Sequence, residues 1–261
     1  MSDPTEPILI TEQRGAVLIL RLNRPEARNA LNLEMFGEFG KAVVQAEEDP
    51  GIRAVVLTGT GDRAFCAGMD LAAFAAGFDP TEEQLAGLGV YGRFSKGDVS
   101  VPIVAAVNAT AVAGGFELVL GCDVVVASED ARFGLPEVKR GLFAAGGGIM
   151  IGTRIPQAVA LELALTGDYI DAQRAYDLGL VNRVVPAGDV LEEAIALAER
   201  IARNGPLGLQ ATKELVRLAV TDAAAALARQ DGLQPTVFGS EDANEGATAF
   251  IEKREPAWKG R

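Results

Sequence analysis

Two kinds of apolar pattern alternate along the first part of the chain. "RAVVLTG" (53–59), "VPIVAAVN" (101–108) and "DVVVAS" (123–128) are short, uninterrupted β-branched runs, the signature of strands buried on both faces. "LITEQRGAVLILRL" (9–22) reads as two further strands turning at Arg14-Gly15. Helical periodicity lies between them, over 32–48 up to the break at Asp49-Pro50-Gly51, over 81–97, and in a short stretch after Gly115. Strands alternating with helices predict an α/β fold. After "NRVVP" (182–186) the pattern becomes almost wholly helical, with helices expected near 188–204, 206–220, 222–230 and 241–254, separated by Asn204-Gly205-Pro206 and Gly239. A core over 1–195 and a helical C-terminal region over 196–261 follow from this change. The segment 71–100 is the least regular part of the core, equally suited to a pocket wall and to a surface excursion.

Composition narrows the chemistry. The 261 residues are 49% hydrophobic and 23% charged, ordinary for a globular chain, and the formal net charge is -12. That acidity, with no run of Lys or Arg, argues against a nucleic-acid partner. The chain has no histidine, which removes Ser-His-Asp and Cys-His triads and every His-ligated metal site. Proton transfer is left to carboxylates, Lys, Tyr, Cys or water. Cys66 and Cys122 sit in apolar stretches and read as buried, reduced thiols. Without a basic-then-apolar leader or a run of about eighteen apolar residues, a cytoplasmic protein with no membrane partner is expected.

Three stretches carry candidate chemistry. "GTGDRA" (59–64) formally fits a relaxed dinucleotide fingerprint, but "FCAGMD" follows where a helix should open, so a Rossmann dehydrogenase is not expected. "VAGGFELVLGCD" (112–123) sets two glycines before a short apolar helix with Glu117 in its first turn. By itself that acid complements a helix dipole. If the helix opens at Gly114, however, its free N–H lies on the same side as Glu117, the arrangement of an oxyanion donor beside a base. In "FGLPEVKRG" (133–141), Pro136 fixes the backbone before Glu137, and Gly146-Gly147-Gly148 nearby is either a flexible turn or another helix start.

Six motifs in order, "NRPEARNAL" (23–31), "AFCAGMDL" (64–71), "AVAGGFELVLGCDVVVAS" (111–128), "ARFGLPEVKRGL" (131–142), "ALTGDYIDAQRAYDLGLVNRVV" (164–185) and "EGATAFIEKREPAWKG" (245–260), resemble the enoyl-CoA hydratase/isomerase (crotonase) family over nearly the whole chain. The resemblance implies a crotonase-like spiral of ββα turns with a C-terminal helical trimerisation region, assembled as a homotrimer or a dimer of trimers. It implies an oxyanion hole from the N–H groups of Met69 and Gly114 and an acid/base pair in Glu117 and Glu137. Ala67 would meet the adenine of CoA through its carbonyl, with Gly68, Asp70, Leu71 and Gly115 also around the substrate. Arg24 and Arg28 would lie on the nucleotide side, and Phe250 and Lys253 would approach from a neighbouring subunit. The reaction implied is hydration of a trans-2-enoyl-CoA, with CoA part of the substrate and no metal or other cofactor. An isomerase, hydrolase or carnitinyl-CoA dehydratase working through the same enolate, and a non-catalytic acyl-CoA-binding protein, are the alternatives. Around 141–152, "GLFAAGGGIMIG" is apolar where the best-known short-chain hydratases have a proline-glycine turn and polar residues, so the acyl group is open.

Overall fold

The computed structural model describes residues 6–75, 77 and 79–261. Its main sheet has six strands, β1 (Leu9–Arg14), β2 (Val17–Leu22), β3 (Ala54–Gly59), β4 (Ile103–Val107), β6 (Val124–Ser128) and β9 (Arg183–Val185), in that spatial order. Within this sheet only β1 and β2 pair antiparallel, as the Arg14-Gly15 turn requires, and every other pair is parallel. A smaller sheet holds β5 (Ala111–Val112), β7 (Arg132–Gly134) and β8 (Tyr169–Asp171).

The two sheets advance together. β4 is followed by β5 and α4 (Gly114–Gly121), and β6 by β7, a 3-10 turn at Pro136–Arg140 and α5 (Gln157–Thr166). Single bridges extend the smaller sheet backwards, from Ala111 to Cys66 and from Met69 to Leu31. Each turn of chain thus lays one strand in each sheet before its helix, which is the expected ββα spiral.

Uninterrupted apolar runs in β2, β3, β4 and β6 are explained by burial on both faces. Leu18, Leu20, Val55, Leu57, Ala105 and Val107 pack towards α1 (Leu33–Glu48), whose Met35, Phe36 and Phe39 are almost fully buried. The alternate residues Val17, Ile19, Val56, Val104 and Val126 face α7 (Val190–Ala202) through Ala194, Ile195 and Ala198. The Asn32 side chain caps α1 by accepting from Met35 N at 2.9 Å. α3 (Glu82–Ser95) opens with a capping box between Thr81 and Gln84. The remaining helices are α2 (Leu71–Ala75), α6 (Ala172–Asp177), α8 (Pro206–Thr221), α9 (Ala223–Phe238) and α10 (Glu241–Glu252).

α7 spans the position where the sequence pattern changes, and it belongs to the sheet packing. The helices standing apart begin at Pro206. α9 runs on past the expected stop near 230 and through Pro235 to Phe238. The strands β5, β7 and β8, two or three residues each, give no readable periodicity.

α4 is gripped at its C-terminal end. Arg217 of α8 donates to Gly121 O at 2.7 Å and to Asp123 Oδ1 at 2.9 Å, Lys213 pairs with Asp123 Oδ2 at 2.8 Å, and Arg154 donates to Leu120 O at 2.8 Å. Three cations there complement the negative end of the helix.

Candidate active site

The site is assembled where the Cys66–Leu71 loop crosses the start of α4. Ala113 enters the helix with φ 50° and ψ -131°, a conformation an alanine rarely adopts and one that typically costs about 1–3 kcal/mol. Only tertiary packing holds it, and nothing in its sequence context announces it. The crossing is tight enough to exclude side chains. A Cβ on Gly115 would lie 2.2 Å from Cys66 O, and one on Gly68, whose φ is +86°, would lie 2.9 Å from Gly114 N.

This contact sets two free N–H groups beside each other. Leu31 pairs with the loop by donating to Gly68 O and accepting from Asp70 N, which turns the Met69 N–H away from the bridge. Gly114 is the first residue of α4, and its N–H has no partner among the described residues, like that of Met69. Two unpaired donors at a helix N-terminus form a site for a developing oxyanion.

Glu117, only 4% exposed, lies in the first turn of α4, but its side chain does not cap that helix. Its Oε1 accepts the N–H groups of Gly147 at 2.9 Å and Gly148 at 2.8 Å, and its Oε2 accepts the Tyr91 hydroxyl at 2.7 Å. The glycine run 146–148 therefore does open a helix, the 3-10 turn Gly148–Thr153, and that opening is aimed at a carboxylate. A buried charge is tolerated when it is hydrogen-bonded in this way.

Glu137 is treated differently. It starts the 3-10 turn after Pro136, is half-buried, and its Oε2 is enclosed with no hydrogen-bond partner. Burial, reinforced by the nearby Glu117, pushes its carboxyl group above the ordinary carboxylate range, against a hydrogen bond from its own backbone N–H and the charge of Arg140. The two acids thus have opposite surroundings, one held by three donors and one holding its proton longer.

Other expected residues gather at the same loop. Ala67 donates to Arg28 O at 3.0 Å, and its own carbonyl is uncommitted among the described residues. Arg28 is exposed with φ 55°, and Arg24 pairs with Asp70 at 3.1 Å while Asp70 also accepts from Ala72 and Ala73 at the start of α2. Leu71 and Phe74 of α2 are exposed beside Met69. Phe250 and Lys253 stand exposed at the end of α10, and no hydrogen bond or ion pair ties them to this loop. Cys66 and Cys122 are free and buried, and burial pushes both thiols up to about 12, so neither is a nucleophile. Tyr91 and Ala113 were not legible as site residues from sequence. The one signal for Tyr91 was its place in the irregular segment 71–100.

A fold of ββα turns with two glutamates and two free N–H donors suits an enzyme of acyl thioesters, and residues 12–261 match the enoyl-CoA hydratase/isomerase family, to which the chain belongs. It is similar to the carnitinyl-CoA dehydratase of Proteus mirabilis, 39% identical over 95% of this chain and 97% of that one. It is also similar to an enoyl-CoA hydratase of Mycobacterium tuberculosis, 40% identical over 98% of this chain and 97% of its relative. A crystal structure of an enoyl-CoA hydratase from the same organism superposes with a TM-score of 0.90 at 46% identity, covering 98% of this chain and 100% of the other. The fold is the crotonase fold, and the chemistry is that of an acyl-CoA lyase.

Proposed function

We propose that the protein hydrates a trans-2-enoyl-CoA reversibly, by syn addition of water across the α,β double bond. The observation that carries this is the unequal pair of glutamates, Glu117 held by three donors and Glu137 with a buried, unpartnered oxygen among the described residues. Glu117 has both lone-pair directions of Oε1 filled and one of Oε2 left, enough to orient and deprotonate a single water. That water adds to Cβ, and the thioester oxygen takes up the negative charge against the N–H groups of Met69 and Gly114. Glu137, whose proton is held by burial, delivers it to Cα. The proton gained by Glu117 and the one lost by Glu137 balance over the cycle. CoA enters as part of the substrate, Arg24, Arg28 and Ala67 receiving its nucleotide end.

The acyl chain we assign is uncharged. Between Glu137 and Gly147 the chain exposes Leu142 and Phe143, and just beyond Gly148 it exposes Ile149. No acidic residue occurs over 141–152. A carnitinyl group would bring a permanent trimethylammonium, which binding sites recognise with several aromatic faces or a carboxylate. The similarity to a carnitinyl-CoA dehydratase keeps that substrate as the second reading. Loss of the conjugated-thioester absorbance on adding enzyme to crotonyl-CoA, longer enoyl-CoAs and crotonobetainyl-CoA decides between them. Turnover of the charged thioester above all others would overturn the uncharged assignment, and turnover of none would overturn the hydratase.

The reading extends to a cytoplasmic homotrimer or dimer of trimers, in which Phe250 and Lys253 reach a neighbour's site. Free buried thiols support the compartment. The exposed apolar residues Val216 and Val220 of α8 and Leu227 and Phe238 of α9 support the assembly.

A further inference from the structure

Glu117 depends on a residue from another helix. α3 crosses α1 so closely at Gly40 and Gly87 that a Cβ on Gly40 would lie 2.6 Å from the Cα of Gly87. That crossing lowers the last turns of α3 onto α4 and buries Tyr91, whose ring meets Phe36 edge-on at 5.1 Å and 71°. The Tyr91 hydroxyl lies 2.7 Å from Glu117 Oε2 and 3.1 Å from Gly114 O. A phenol has one proton, and the shorter contact, to the carboxylate, receives it.

Two N–H groups on Oε1 fix where the Glu117 carboxylate is, but not how its plane is turned. The terminal torsion of a glutamate is broad and nearly two-fold, so Oε2 could swing about the anchored oxygen. Among the described residues, the Tyr91 hydroxyl is the one donor on Oε2. The other ionisable groups facing the pair are Glu137, from the turn at Pro136–Arg140 with Arg140 behind it, and the neutral thiol of Cys66 from the oxyanion loop. Burial, then the Glu117 charge, holds the phenol far above its ordinary range, so it is a donor throughout neutral pH.

We propose that Tyr91 is a positioning residue for the reaction: its hydroxyl fixes the plane of the Glu117 carboxylate and leaves one lone pair of Oε2 aimed at the water. The proposal rests on the hydratase reading of the site. It gives the irregular segment 71–100 a task, since the helix within it carries the group that sets the angle of the base.

Tyr91→Phe keeps the ring and its contact with Phe36 and removes only the hydroxyl. Hydration kcat should fall about ten- to a hundredfold, the loss expected for one hydrogen bond to a charged group, with KM changed less than about twofold. The acidic limb of the kcat profile should move up by about one pH unit, because the ionised carboxylate loses a donor. A measurement independent of turnover is infrared titration of the carboxylate band that Glu117→Gln removes; it should move up in parallel. If Tyr91→Phe does not fold, 3-fluorotyrosine placed at 91 keeps the fold, makes a stronger donor, and should move the band down. Wild-type kcat with an unmoved limb, or an unmoved band in either variant, overturns the proposal. If the parent enzyme hydrates no enoyl-CoA, the hydratase reading fails while the infrared band still tests Tyr91.

Discussion

The start of α4 and the pair α8–α9 are two helical regions of one chain built to opposite standards. Around Glu117 each carboxylate oxygen has its donors, the neighbouring backbones touch where only glycine fits, and Phe116, Leu118 and Val119 are buried. In α8 no residue is buried, and in α9 only Ala226 is, while Val216, Val220, Leu227 and Phe238 stand open. The first region is complete within the chain. The second leaves apolar side chains open, and in the proposed trimer a neighbouring copy would cover them through a heterologous, ring-closing contact. The regions are nevertheless joined, because Arg217 and Lys213 of α8 hold the far end of α4.

The sharpest way to test the finished region is to change its acids without changing its shape. Glu117→Gln and Glu137→Gln should each lower hydration kcat by about 10²–10⁴, roughly 3–5 kcal/mol of barrier, with substrate Kd nearly unchanged because the oxyanion donors are backbone. The double variant should lose less than the product of the two, as groups acting as a unit do. Independent, multiplicative losses would mean that the two glutamates do not act as a unit.

The unfinished region should fail in assembly. The parent should sediment as a trimer or hexamer at micromolar concentration, and Val220→Asp with Leu227→Asp should reduce it to single chains. A parent that is already monomeric would end the contrast between the two helical regions.

Smaller effects concern charge. Glu137 has a folded value raised above its ordinary 4.5, so its contribution to stability is fully present below about pH 4.5 and is lost as pH rises through the folded value. Glu137→Gln should therefore unfold at a slightly higher temperature than the parent at pH 7, and the difference should vanish near pH 4. A variant less stable than the parent at pH 7 would show that the carboxylate is paired. Arg28→Ala should weaken CoA binding by about twofold to fivefold, the range of an exposed ion pair, and should flatten its salt dependence. Affinity unchanged by either would remove Arg28 from the nucleotide side.

Periodicity made the long strands and helices legible because burial on two faces or on one stripe is written in every residue of the run. It gave the sheet strands β1 to β4 and β6, and also α1, α3, α7 and α8, to within a few residues. The site was less legible. Glu117, taken with its neighbours alone, reads as an acid in a first helical turn, because its donors come from Gly147 and Gly148, thirty residues on, and from Tyr91, twenty-six residues back. Motif resemblance brought the two glutamates together where spacing left each with a plain structural reading. Ala113 stayed hidden because a positive-φ alanine has no signature in composition; its strain is imposed where the Cys66–Leu71 loop crosses the start of α4.

The groups that hold Glu117, and those proposed to meet a thioester oxygen, are mostly main-chain N–H, at Gly147 and Gly148 and at Met69 and Gly114. Main chain is inherited whatever side chain is attached to its neighbours. Substitutions at Leu142, Phe143 and Ile149, where the proposed acyl chain would lie, would therefore leave those main-chain groups in place. A lineage built this way can diversify its diet without relearning its chemistry.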